Sequence, residues 1–134
     1  MKSFSLQIVT PDGQEYKGNV SRIILRTMVG ELAVMAGHID IVTALGMGVC
    51  RIDFLDGTHR NAACMGGFLT VSDNQVKVVA TTFEWSDKID VARAQKAREA
   101  AEAKLSNSKD MDDVNLARAK LSRALVRIGA ANRT

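Results

Sequence analysis

Thr81-Thr82-Phe83-Glu84-Trp85-Ser86-Asp87-Lys88-Ile89-Asp90-Val91-Ala92-Arg93-Ala94 joins two kinds of structure, with the seam near Glu84-Trp85-Ser86. Upstream, short apolar runs are punctuated by turn residues. Downstream, apolar residues recur at helical spacing. Nine of the ten glycines and the single proline lie at or before Gly67, and residues 68–128 contain neither. The charge divides at the same place. Residues 1–86 carry seven basic and eight acidic side chains, and residues 87–134 carry eleven and seven. The first part therefore reads as turn-rich β-structure and the second as helix. This gives two units, residues 1–86 and 87–134.

The front unit alternates with period two. Phe4, Leu6 and Ile8 face one way, with Ser5 and Gln7 between them. Pro11-Asp12-Gly13 follows as a turn, since Pro presets φ and Gly accepts a positive one. Further strand-like runs fall at residues 20–27, 32–35, 41–45, 49–55, 60–64, 68–71 and 76–82. Asp56-Gly57 and Asp73-Asn74 have the composition of tight hairpin turns, and Gly66-Gly67 that of a bulge or strand turn. Short strands at this spacing predict an antiparallel sandwich or barrel.

The tail switches to a helical period. Asp87 is placed to cap a first helix, with Asp90 three residues on, and the helix should run to about Leu105. Its apolar stripe is Ala94, Ala97, Ala101 and Leu105. After Ser106-Asn107-Ser108-Lys109, Asp110 repeats the device with Asp113. The second helix should run to about Ile128, with Val114, Ala117, Leu121, Leu125 and Ile128 as its stripe. So short a loop makes the helices antiparallel neighbours. A seam made mostly of Ala allows close approach but buries little area, so the hairpin is expected to hold weakly.

Composition removes several classes. The chain is 46% hydrophobic and 25% charged with net charge +3, which is ordinary for a globular protein. No apolar run is long enough to span a bilayer, and Met1-Lys2-Ser3-Phe4-Ser5 opens no signal-peptide stretch, so a cytosolic protein is expected. Cys50 and Cys64 read as buried apolar residues. With His38 and His59 they show no paired metal-ligand spacing, so no metal is expected. No nucleophile sits at a recognisable spacing from a base, and no phosphate-binding glycine loop is present. The tail's modest excess of positive charge and its lack of aromatic residues argue against nucleic acid.

Arg123 and Arg127 are four apart and share a helix face with Lys120, while Asp90 and Arg93 sit one turn apart on the first helix. These residues make either a solvated, salt-bridged surface or an anion site across the helices. Guanidinium forks bind phosphate bidentately, and an Asp accepts from ribose hydroxyls or an adenine amine. Spacing does not choose between the two readings.

Four segments, in order, carry a resemblance to a known family. They are Leu6-Gln7-Ile8-Val9-Thr10-Pro11-Asp12-Gly13, Gly30-Glu31-Leu32-Ala33-Val34 followed by Gly37-His38, Gly66-Gly67-Phe68-Leu69-Thr70-Val71, and Ile89-Asp90-Val91-Ala92-Arg93-Ala94. Together they resemble the epsilon subunit of bacterial F-type ATP synthases, end to end. The resemblance implies a sandwich of about ten strands with a two-helix hairpin, and a non-catalytic rotor role. The sandwich would dock on subunit gamma and on the membrane ring of c subunits, with family loop contacts falling on Glu31 and His38. The hairpin would permit ATP hydrolysis when folded on the sandwich. Extended along gamma, it would enter the alpha/beta hexamer and block hydrolysis, with Lys120, Arg123 and Arg127 facing acidic groups. The complex would translocate protons or sodium, and the chain would lie at the cytoplasmic face of the cell membrane, attached only through the complex. No cofactor is implied as required.

ATP is implied as a regulatory ligand of the folded hairpin, at Glu84, Ile89, Asp90, Arg93, Arg123 and Arg127. The sequence departs from the family pattern at Met35-Ala36-Gly37-His38-Ile39-Asp40, which lacks the usual prolines, at Met65 in place of a Ser, and at Ala100 in place of an Arg. A competing reading is a free-standing adaptor whose basic hairpin grips an acidic protein.

Overall fold

A computed structural model describes residues 2–133, so Met1 and Thr134 lie outside the described residues. Eight strands precede two helices: β1 (Phe4–Thr10), β2 (Gly13–Val20), β3 (Arg22–Thr27), β4 (Gly30–Met35), β5 (Ile41–Ala44), β6 (Met47–Asp53), β7 (His59–Ser72) and β8 (Gln75–Trp85). A single 3-10 turn, Ser86–Lys88, then leads to α1 (Val91–Asn107) and α2 (Met111–Asn132). The strands form a β-sandwich, eight in number where about ten were expected. Their hydrogen-bonded order is β2-β1-β8-β7-β6-β3-β4, with β5 pairing off this path to β7. The pairing is antiparallel except between β1 and β8, which run parallel with Leu6 opposite Val76 and Ile8 opposite Val78. The core residues Phe4, Leu6, Ile8, Ile23, Leu25, Ile52, Leu69 and Val78 come from five of the strands and are almost wholly buried.

Two differences from the sequence reading have clear causes. Residues 13–20 form a strand although Gly13-Gln14-Glu15-Tyr16-Lys17-Gly18-Asn19 looks like loop. β2 is an edge strand, paired only to β1 and largely exposed, so it needs little apolar character. Residues 60–64 and 68–71 are one strand, with the expected irregularity at Gly66-Gly67 inside it: Met65 pairs with Thr82 and Gly67 with Ala80, Gly66 is skipped, and the core-facing positions shift from Ala62 and Cys64 to Leu69 and Val71. The pair also marks where β7 changes partner from β6 to β5. Both glycines hold positive φ there, +70° and +102°.

The Asp73-Asn74 turn behaves as expected, with both residues at positive φ (54° and 61°), the signature of a type I′ hairpin. Cys50 and Cys64 are buried. Burial pushes the Cys64 thiol up to about 12 and holds the Cys50 thiol well above its ordinary value, so both are inert thiols.

β7 is buried on both faces from Asn61 to Met65. Ala62 and Cys64 join the sandwich core, while Ala63 and Met65 point outward and meet Ile89 and Ala130, with Val49, Val126 and Ala131 at the margin. α2 thus docks the hairpin on the outer face of β6 and β7, and α1 packs on α2. Both helices are capped by Asp, but one step later than expected for the first. Asp90, not Asp87, is the N-cap of α1, accepting from Arg93 N–H at 3.0 Å. Asp110 caps α2 by accepting from Asp112 N–H at 2.9 Å. α2 continues past Ile128 to Asn132. Along it Ala117, Ala124, Ile128 and Ala130 are buried and Leu125 is exposed. The contact face is therefore rotated away from Leu125 toward smaller residues. Among the described residues no helix is long and apolar enough to cross a membrane.

Candidate functional site: a cationic cleft between sandwich and hairpin

The site forms where β8 hands over to α1. Arg60, on β7, fixes this junction. Its guanidinium lies 3.8 Å from the centre of the Trp85 ring and its Nη2 donates to Asp87 Oδ1 at 3.3 Å. Ile89 then turns its side chain into the apolar seam against Ala63, Met65 and Ala130. Asp90 spends Oδ1 on its helix cap. Because α2 returns antiparallel to α1, its C-terminal half lies beside this start. Arg127 Nε donates to Glu84 Oε1 at 2.7 Å, tying the last turns of the hairpin to the end of β8.

These elements enclose a cleft of about 360 Å³ lined by Glu84, Lys88, Asp90, Arg93, Ala97 and Arg127. It continues past Ala97 and Arg127 into a groove of about 470 Å³ between the helices, lined by Ala100, Lys104, Asp113, Lys120 and Arg123 among others. The balance of charge is positive. Glu84 is engaged by Arg127, whereas Lys88, Arg93 and Arg123 have no ion-pair partner among the described residues. Unpaired cations held on two walls of one cleft suit a ligand with several negative oxygens.

The structure therefore brings together Glu84, Asp90, Arg93 and Arg127, with Arg123 a turn further along the continuous groove. Ile89 belongs to the floor through its packing, not through an exposed side chain. Ala100 stands on the groove wall where a guanidinium was expected from the resemblance. Lys120 lines the same groove as Arg123. Glu31 and His38 are not on one loop: Glu31 is the second residue of β4, and His38 follows its far end. His38 Nδ1 lies 2.7 Å from the Ile39 carbonyl oxygen, and its loop is pinned by Gly37 N–H donating to Asn74 Oδ1 at 3.0 Å.

Sequence reasoning missed Lys88 and Lys104. Lys104 was findable, since it is four residues from Ala100 and so on the same helix face. Lys88 lies in a 3-10 turn whose geometry the sequence does not announce.

Both halves of the chain match described families. Residues 3–86 match "ATP synthase, Delta/Epsilon chain, beta-sandwich domain" and residues 87–132 match "ATP synthase, Delta/Epsilon chain, long alpha-helix domain". The chain belongs to the ATP synthase delta/epsilon chain family. Its relatives are alike over their full length. The ATP synthase epsilon chain of Staphylococcus saprophyticus is 42% identical over 133 residues, covering 98% of each chain. That of Caldicellulosiruptor bescii is 40% identical over 131 residues, covering 98% of this chain and 95% of the other.

Among solved structures, a chain of the Euglena gracilis mitochondrial ATP synthase, in a structure of its OSCP, F1 and c-ring, superposes with TM-score 0.87 at 27% identity. The match covers 99% of this chain and 83% of that one. A chain from the central stalk and c-ring of the Tetrahymena thermophila enzyme has the same fold, with TM-score 0.69, 16% identity and 96% of both chains covered. Epsilon chains are non-catalytic ATP synthase subunits.

Proposed function

We propose that this epsilon chain is a central-stalk subunit of a proton- or sodium-translocating ATP synthase at the cytoplasmic face of the membrane. In this reading residues 1–86 join gamma to the c ring, and residues 87–134 form a hairpin that restrains ATP hydrolysis when extended into the alpha/beta hexamer. ATP, bound at Glu84, Asp90, Arg93, Arg123 and Arg127 above Ile89, holds the hairpin folded.

One observation carries the regulatory part. The hairpin is docked through a small Ala-rich seam and one ion pair, Arg127 to Glu84, beside a cleft that holds the unpaired Lys88 and Arg93 and opens into a groove with Arg123. A weakly held element is easily shifted by a ligand that touches both of its contact surfaces, and the shift is limited by the ligand's differential affinity for the two states.

The docking part is supported by an apolar strip on the outer face of β5, β7 and β8, where Val42, Phe68 and Val79 are 72%, 59% and 42% exposed. Such a strip fits a protein partner, and we assign it to gamma. Glu31 on edge strand β4 and His38 beyond its end would then reach the c ring.

Calorimetry of the full chain with millimolar ATP tests the ligand. Binding is expected, and it is expected to vanish in the Arg123→Ala, Arg127→Ala double variant. Absence of heat overturns the nucleotide reading. Hydrolysis by the assembled enzyme, with and without residues after Ser86, tests the restraint, and equal rates would remove it. Replacing Glu31 and His38 together with Ala should lower recovery of the complex without unfolding the sandwich.

A further inference from the structure

A notch opens between α2 and the sandwich where β7 passes from β6 to β5 at Gly66-Gly67. Gly66 N–H donates to Gly46 O at 3.1 Å and Leu45 N–H donates to Gly67 O at 2.9 Å, so the backbone pairing holds the sheet together beneath it. Met28, Leu45, Met47 and Met65 line the notch, and α2 passes over one side with Arg123 and Arg127. The resulting cavity of about 590 Å³ falls in the range of small-molecule sites, ~300–1,000 Å³, which are mostly apolar with a few convergent polar groups.

The lining selects a chemical class. Thioether and isobutyl groups offer an adaptable apolar bed, and Met28 is 71% exposed, apolar surface without protein cover. No carboxylate lines the cavity. Of its two guanidiniums, Arg127 is held by Glu84, while Arg123, only partly exposed, makes no hydrogen bond or ion pair with any described residue. An unpaired cation beside an apolar bed is matched by an anionic head on an alkyl body.

We propose that this notch binds a single-chain amphipathic carboxylate, its head on Arg123 and its alkyl chain over Leu45, Met47 and Met65. The site shares Arg123 and Arg127 with the proposed nucleotide site, but its apolar bed lies on the sandwich, away from Glu84, Lys88, Asp90 and Arg93. Its floor belongs to the sandwich and its charged wall to α2. The ligand therefore binds only the docked hairpin, and binding holds the hairpin docked by mass action.

The test is calorimetry of the full chain with n-alkyl carboxylates from hexanoate to dodecanoate and the matching alcohols, all below their micellar concentrations. One carboxylate per chain is expected, tightening by up to about fourfold per methylene, ~0.8 kcal/mol, and levelling once the tail outgrows the notch. Decanoate should bind at least tenfold tighter than decanol, and Arg123→Ala should erase that preference. Thr82→Phe, at an exposed strand position on the notch wall where an aromatic is well tolerated, should abolish alkyl binding while ATP binding and the thermal midpoint stay as in the parent. Three results would overturn the proposal: no binding of dodecanoate, equal affinity for acid and alcohol, or binding that survives Thr82→Phe. The last would mean adsorption to the surface.

Discussion

A Cβ built on Gly67 would stand 1.8 Å from the Val79 carbonyl oxygen, and the residue's φ is +102°. Two independent penalties coincide there, so Gly67→Ala is expected to destabilise the sandwich by on the order of 3–5 kcal/mol, read from the urea midpoint. Asp53 provides a pH-dependent test. Burial works to raise its pKa, but Arg22 Nε at 2.6 Å and Arg51 Nε at 3.0 Å outweigh it and hold the carboxyl below its ordinary value. A lowered carboxylate contributes fully above the unfolded value of ~4 and loses that contribution as pH falls through the folded one. The stability gap between the parent and Asp53→Asn should therefore be constant from pH 7 to 5 and shrink by pH 3. The Glu84–Arg127 pair is about one-third exposed on each side (35% and 29%). A double-mutant cycle with Ala at both positions should return about 0.5–1 kcal/mol of coupling. That is a weak clasp.

At the scale of elements, α2 has a second surface to lean on and α1 does not share it equally. α2 rests on β6 and β7, whereas α1 packs chiefly on α2. Amide hydrogen exchange should accordingly be slowest in the β core, faster in α2 and fastest in α1. Equal protection in both helices would contradict this order. Asp90→Ala removes the α1 cap and should cost ~1 kcal/mol of helix stability, seen as faster exchange over residues 91–94.

The sequence announced these elements unevenly. The strong alternation of β1 and the glycine-free tail were plain because burial on one face writes itself into the apolar period. β2 was hidden because an exposed edge strand buries almost nothing. The continuity of β7 was hidden because two glycines ordinarily end a strand, whereas here they form an irregularity within one. Leu125 was misplaced because the docked face of α2 was chosen by close approach of Ala124 and Ala130 to the sandwich, which a count of large apolar residues overlooks.

For the molecule as a whole, the sandwich core is drawn entirely from residues 4–83, so a chain ending at Ser86 should still unfold cooperatively. It would uncover Ala63, Met65 and Val49, and is expected to bind an apolar dye more strongly than the full chain. Loss of a cooperative transition would show that the hairpin is part of the same folding unit. The cleft itself was only half legible. The basic residues of α2 could be aligned from their spacing, but the ion pair between Glu84 and Arg127 spans 43 residues, and no local pattern foretells it. The amphipathic notch had no signature at all, since it arises where α2 passes over the sandwich.

The parallel pairing of β1 with β8 carries a consequence for biosynthesis. Ser5 must wait for Gln75 before its strand gains that neighbour, which at ~5–20 residues per second is roughly 4–14 s of translation. Until then the apolar face of β1 has only β2 beside it, a two-stranded ribbon that is marginal on its own. The hairpin is made after the last strand of the sandwich, so the sandwich can close first and the hairpin meets a finished surface.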